Sequence, residues 1–285
     1  MTDTQRIDGM SYAEYHSAPG IRSSDLKACL TSPLECWYRQ RQPMADSPAL
    51  RLGRASHTSA LEPRRFLAEY ALYDGRRAGK VWDAFRDDPQ NTNKTILNRT
   101  EYDAAVAIGD AVQAHRIAST MLAGGAAEVS LFWDDEQTGL RCKARPDYLT
   151  TLTLPDLKTT RDPSPAAFGR TCVNFGYPLQ LAHYLAGVRA VCGTDPAPYF
   201  VVVGSTQPHD VIVYRVPDDI IELGEADRVD MMQTMSQMRE RFGDKRWPGV
   251  APDGAMDLEL PRWAYPDEPV DEMADLDWSG MKEAV

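Results

Sequence analysis

The sequence predicts an α/β (α+β) fold, a mixed central β-sheet flanked by helices. Three observations point there. Up to about residue 122 the apolar residues recur at helical spacing. From residue 126 the period shortens to two, and β-branched residues gather in short runs. The elements then run three strands, helices, two strands and a long helix, an order that suits a sheet with helices packed on it. Of the 285 residues 43% are apolar, so a sizeable core is available and global disorder is excluded.

Each element can be justified in turn. "SSDLKACLTSPLECWYRQRQ" reads as a helix, with Ser23 or Ser24 as cap, Leu26, Cys29 and Leu30 on one face, and a break or kink at Pro33. "PALRLGRASHTSALEPRRFLAEY" reads as a second helix, with Leu50, Gly53, His57 and Leu61 on adjoining turns of one face. Residues 74–98 are polar and rich in Gly, Asp and Asn, the composition of a loop. "RTEYDAAVAIGDAVQAHRIASTMLAGG" is a helix ending at Gly124-Gly125. "AEVSLFWDD", "GLRCKARPDYL" and "LTLPDLKTT" alternate as three strands. "SPAAFGRTC" and "YPLQLAHYLAGVRAVC" return to helix, "PYFVVVGS" and "DVIVYRV" are strands, and "DDIIELGEADRVDMMQTMSQMRERF" is a long amphipathic helix. The expected organisation is one domain over 1–266, with a helical part at about 10–122 and a core at about 126–242. An acidic tail follows at 267–285.

Charge and cysteine usage narrow the function classes. The net charge of −11 argues against generic nucleic-acid binding, but it is unevenly spread. Residues 267–285 hold seven acids against Lys282, a net of −6, whereas residues 20–80 carry a net of +5. No run reaches the roughly 18 apolar residues of a membrane span, and the N-terminus lacks a secretion-signal pattern. A cytoplasmic, membrane-free protein is expected. Cys29, Cys36, Cys142, Cys172 and Cys192 form no CxxC pair, which fits reduced thiols rather than a zinc site or disulfide framework.

The stretch "ARPDYLTTLTLPDLKTT" is the chemical centre of the sequence. Aspartate is depleted in strands, and a carboxylate near a sheet core is costly unless its charge is offset. A turn centred between Thr151 and Leu152 pairs Leu149 with Leu154 and sets Asp147 opposite Asp156, with Cβ atoms about 4.5–5.5 Å apart. Lys158 then shares the face of Asp156, and Arg145 that of Asp147. Pro146 and Pro155 disturb regular pairing in this register. Three readings compete: a structural ion-pair cluster, a metal-dependent nuclease core, and a hard-cation site without chemistry. Carboxylates suit Mg²⁺ or Mn²⁺ rather than zinc. The lysine favours the nuclease, because a pure metal site has no need of an ammonium two residues away.

Further residues fall into an ordered set: Gly53-x-x-x-His57, Glu128 opening the first strand, Asp147, Asp156-Leu157-Lys158, and Gln180-x-x-x-Tyr184 on one helix face. This set resembles the PD-(D/E)xK nucleases of the RecB-like type. With "IRSSDLKACLTSP" and "LRLGRASHTSALEP" it is similar, more narrowly, to the exonuclease VIII C-terminal nuclease over roughly residues 10–265.

The resemblance implies a restriction-endonuclease-like core and a 5′→3′ double-strand DNA exonuclease. Such an enzyme leaves 3′ single strands for recombination with a single-strand annealing protein of the RecT or beta type. It implies a ring-shaped homo-oligomer, trimer or tetramer, and two Mg²⁺ or Mn²⁺ ions. Asp147, Asp156, His57 and the Leu157 carbonyl would be metal ligands, Glu128 a ligand or supporting acid, and Lys158 the catalytic lysine. Gln180 and Tyr184 would position DNA or the lysine. Arg22, Lys27, Arg54, Lys143, Arg145 and Arg161 are candidates for phosphate contacts. No iron–sulfur cluster is expected, because no cysteine follows Cys192. A structure-specific endonuclease and a non-catalytic DNA-end-binding module are the alternatives.

Overall fold

The computed structural model describes residues 4–42 and 47–260. Residues 4–250 build one compact unit, while 251–260 form a separate stretch, exposed and without regular structure. The acidic tail at 267–285 lies outside the described residues. No helix among those described is long and apolar enough to cross a membrane.

The N-terminal part is mostly helical, but broken more often than its apolar period suggests. After β1 (Gln5–Ile7) come α1 (Tyr12–Ser17), α2 (Ser23–Thr31) and α3 (Pro33–Arg39). Ser32 separates the last two: its extended backbone ends α2, and its hydroxyl accepts the Glu35 N–H to start α3. The second expected helix is also two, α4 (Pro48–Leu61) and α5 (Pro63–Glu69), because Pro63 cannot continue the ladder and begins a new helix instead. β2 (Tyr70–Leu72) follows, beginning at the last residue expected as helix, and the segment expected as a loop contains α6 (Lys80–Arg86) and β3 (Thr95–Leu97), with β2 and β3 paired in parallel. The third helix divides into α7 (Arg99–Ala114) and α8 (Arg116–Met121) at His115, whose Nδ1 accepts the Ala118 N–H.

From residue 126 the strands appear as expected, though two are interrupted. β4 (Ala126–Ala127) and β5 (Ser130–Asp134) are one expected strand, and β6 (Arg141–Ala144) and β7 (Tyr148–Leu149) are another. β8 (Thr153–Thr160), α9 (Pro165–Asn174), α10 (Tyr177–Cys192), β9 (Ala197–Gly204), β10 (Val211–Arg215) and α11 (Asp218–Phe242) complete the mixed fold. β8 runs parallel to β9, which is antiparallel to β10, while β5 is antiparallel to β1 and β6.

Alternation along β8 and β9 divides the core in two. Leu157, Val201 and Val203 pack with Ala60 of α4 and Ile108 and Val112 of α7. Leu154, Phe200 and Val202 turn to the larger core with Leu181 and Leu185 of α10 and Met232 and Met235 of α11. Asp156 and Lys158 share the second parity, so a polar pair is carried on an apolar strand.

Candidate active site

The acids meet through a different hairpin from the one expected. Ala126 and Ala127 pair with Leu149 and Tyr148, while Leu131 pairs with Ala144. The register is continuous across the gap, so β4–β5 and β6–β7 form one antiparallel hairpin that sets Glu128 opposite Asp147. The Glu128 N–H donates to the Asp147 carbonyl at 3.0 Å. The ladder breaks there because Glu128 sits at φ 53°, a left-handed conformation unfavourable for a residue with a side chain, and because Pro146 has no N–H. Such strain persists where surrounding contacts enforce it, commonly at functional sites.

The expected ladder between β7 and β8 is therefore corrected. β7 pairs with β4, and β8 with β9. Thr150 makes the connection: its Oγ1 accepts the N–H groups of Leu152 and Thr153 at 3.1 and 2.8 Å, and its own N–H donates to the Thr153 carbonyl. Asp147 and Asp156 still converge, because Asp147 Oδ2 accepts the Leu157 N–H at 2.7 Å in place of a strand partner. The Leu157 carbonyl shares that strand edge, since the N–H and C=O of one extended residue point the same way.

Two groupings result. Ligand atoms of His57, Glu128 and Asp147 all lie within 4.8 Å of one another, with His57 Nδ1 3.5 Å from Asp147 Oδ1. Beside them Asp156 Oδ2 forms an ion pair with Lys158, without hydrogen-bond geometry, while Asp156 Oδ1 accepts from Gln180 Nε2 at 3.2 Å. Gln180 Nε2 also donates to the Tyr184 hydroxyl at 3.2 Å, and Gln180 Oε1 accepts from Lys27 at 3.0 Å. Tyr177 was not singled out from the sequence, yet its ring lies 4.7 Å from the Lys158 ammonium and 5.6 Å from that of Lys27. Only its position, opening the helix that carries Gln180 and Tyr184, marks it in the sequence.

A cavity of about 590 Å³ opens over this constellation, lined by His57, Glu128, Asp147, Lys158, Gln180 and Tyr184 among others. Gly53 lines it too. A Cβ there would meet nothing within 4 Å, so this glycine keeps a wall of the cavity clear.

Electrostatics divides the acids. Burial disfavours the charge of Asp147, but His57 and Lys158 outweigh it and hold this carboxyl below the usual range. Burial, reinforced by Asp147, raises Glu128 against the pull of Arg145. Burial likewise pushes Asp156 up to about 6, despite Lys158. His57 and Lys158 are both raised: burial opposes their charge, and the neighbouring aspartates overcome it. Crowded acids with raised proton affinity are what a site built for a cation looks like before the cation binds. The donor set of one imidazole and hard carboxylates fits a small divalent ion.

The six candidate phosphate contacts separate. Arg22, Lys27 and Arg54 line the cavity. Arg22 is also held by both oxygens of Asp25, and burial next to Lys158 lowers Lys27 to about 8. Arg161 is exposed and follows β8, away from the cavity lining. Lys143 and Arg145 line the cavity as well, but most of their donors are used internally. Buried Lys143 donates to the Tyr15, His16 and Ala18 carbonyls. Arg145 donates to Glu128 at 2.6 Å and to Ser130, holding Glu128 in place. Of the remaining histidines, buried His183 binds the Ile21 and Lys143 carbonyls through Nε2, a structural role.

The family described as PDDEXK-like domain of unknown function (DUF3799) matches residues 23–251. No curated protein matches the chain. A crystal structure named "Putative exonuclease", from Eubacterium rectale, is similar with a TM-score of 0.57 and 15% identity, over 88% of this chain and 95% of that one. At that identity the likeness is one of fold.

Proposed function

Because the chain belongs to the PDDEXK-like family, within the PD-(D/E)xK nuclease superfamily, we propose that it is a divalent-metal-dependent nuclease, a 5′→3′ double-strand DNA exonuclease that leaves 3′ single strands. One arrangement carries the reading: His57, Glu128, Asp147 and Lys158 line one cavity, and fully buried Asp156 is ion-paired to Lys158 behind it. Magnesium or manganese held there supplies Lewis acidity, screening phosphate charge and lowering the pKa of a water. His57, Glu128 and Asp147 would hold one ion. A second would draw on Asp147, Asp156 and the Leu157 carbonyl.

The chain's own residues account for the rest. Lys158, fixed between Asp156 and the Tyr177 ring, presents its ammonium to the scissile phosphate, orienting the attacking water and offsetting charge as it develops. The water oxygen bonds to phosphorus and gives up a proton to solvent, the P–O3′ bond breaks, and the leaving 3′ oxygen takes up a proton from solvent. Gln180 keeps Asp156 in register and ties it to Tyr184 and Lys27. Lys27, Arg22 and Arg54 add positive charge along the cavity, so local attraction of DNA coexists with an acidic chain, because long-range repulsion is screened beyond about 8–10 Å.

Digestion of a duplex labelled at the 5′ or the 3′ end tests this reading. In Mg²⁺ the 5′ label is released first and a 3′ strand remains, EDTA stops the reaction, and blocked ends resist. Cutting of a blocked duplex makes the protein an endonuclease, and no cutting in Mg²⁺ or Mn²⁺ overturns the nuclease reading. The likeness to exonuclease VIII extends the proposal to a ring of three or four subunits that passes its 3′ strand to an annealing protein. A monomeric mass by light scattering removes the ring.

A further inference from the structure

The turn between α9 and α10 bears a feature that neither the fold nor the proposed chemistry uses. Phe175 is 62% exposed, beside an exposed Val173. Its ring stacks on Tyr177, with centroids 5.9 Å apart and planes 19° apart, and Tyr177 in turn carries the Lys158 ammonium. Two ring contacts thus link an open aromatic surface to the catalytic lysine.

The turn is rigid. The Phe175 N–H donates to the Thr171 carbonyl at 3.0 Å, and the Gly176 N–H to that of Val173 at 3.1 Å. Gly176 has φ 59°, and a Cβ on it would come within 3.0 Å of Lys27 Cδ. The turn therefore rests on the stem of Lys27, at the rim of the cavity. Arg170 is exposed on the same helix face as Val173, a position suited to a phosphate.

We infer that Phe175 is a stacking platform for a nucleobase of the DNA end, next to the phosphate under attack. A flat ring with an open face accepts any base, which suits a nuclease that must advance through every sequence. Its stacking on Tyr177 restricts the ring, which lowers the entropy cost of a further stack. Holding one base beside Lys158 would set the register of the backbone against the donor triplet. This deepens the nuclease reading and rests on it.

The test uses the full chain with Ca²⁺ in place of Mg²⁺ and duplexes carrying 5-iodouracil at the terminal or penultimate position. Irradiation should crosslink Phe175, located by mass spectrometry. Phe175→Ala should weaken end binding about fivefold to a hundredfold by fluorescence anisotropy, and Phe175→Trp should restore it. An adduct elsewhere together with unchanged affinity in Phe175→Ala overturns the inference, while wild-type digestion leaves the nuclease reading intact. A changed mass in light scattering with Phe175→Ala overturns it in favour of a subunit contact. If the wild type binds no DNA end in any divalent ion, both readings fall.

Discussion

The two ends of the β4–β7 hairpin each bury charge, and they treat it in opposite ways. At the β5–β6 connection, Asp135 Oδ2 accepts from Arg228 at 3.0 Å and Oδ1 accepts both the N–H and the hydroxyl of Thr138. The other side of Arg228 is held by both oxygens of Glu225 at 2.8 Å. Burial is overcome, and Asp135 stays below the usual carboxylate range. At the far end Glu128, Asp147 and Asp156 crowd together, and burial raises two of the three. A cluster satisfied from within closes the fold; one left short of positive charge at a cavity calls for a cation.

The largest expected effect breaks the open end. Lys158→Ala or Asp147→Asn should reduce DNA hydrolysis about a hundredfold to a thousandfold while the protein stays folded, checked by end-labelled digestion alongside circular dichroism. Asp135→Ala should do the reverse. Arg228 keeps Glu225, so losing its second acid partner should cost about 1–3 kcal/mol in urea unfolding, with activity per folded molecule retained. Equal losses of activity from both ends would erase the distinction.

Acid sharpens the contrast through its sign. Asp156 has a folded pKa of about 6, above its ordinary value, so the metal-free fold takes up a proton as pH falls and gains stability through that window. Relative to Asp156→Asn in EDTA, the wild type should gain about 2 kcal/mol between pH 7 and pH 4. Asp135 is depressed, so its contribution is present above the ordinary carboxylate range and lost as pH falls through its folded value. Asp135→Asn should therefore close the gap to wild type as the solution is acidified. The cation itself gives a last test. Mg²⁺ or Mn²⁺ at a hundred times its Kd should stabilise the wild type by about 2.7 kcal/mol in a thermal melt, and Glu128→Gln should abolish most of that gain.

Much of this was legible in the sequence, and the failures are instructive. His57, Glu128, Asp147, Asp156, Lys158, Gln180 and Tyr184 were all singled out, and the fold brings them together. Their partners were misassigned. Asp147 was set opposite Asp156, whereas the strand partner is Glu128, and Asp156 is reached through a side chain bonded to the Leu157 N–H. Pattern alone cannot see that Glu128 adopts a left-handed backbone, since its neighbours favour a strand. Lys143 and Arg145 looked like surface cations because charge says nothing of depth, and each is buried against internal acceptors. The helix breaks at Glu62 and His115 were missed because the apolar period runs on through both.

Local order was written in the residue series: where helical spacing gives way to alternation, which strand bears Asp156 and Lys158, and which helix face bears Gln180 and Tyr184. These follow from side-chain periodicity, which acts over a few residues. Packing alone brought Lys27 to Gln180 across 153 positions, set Tyr177 beneath two ammonium groups, and left Phe175 open to solvent. Such contacts depend on how helices seat against a sheet, and a cavity that gathers distant charges exists only once that seating is complete.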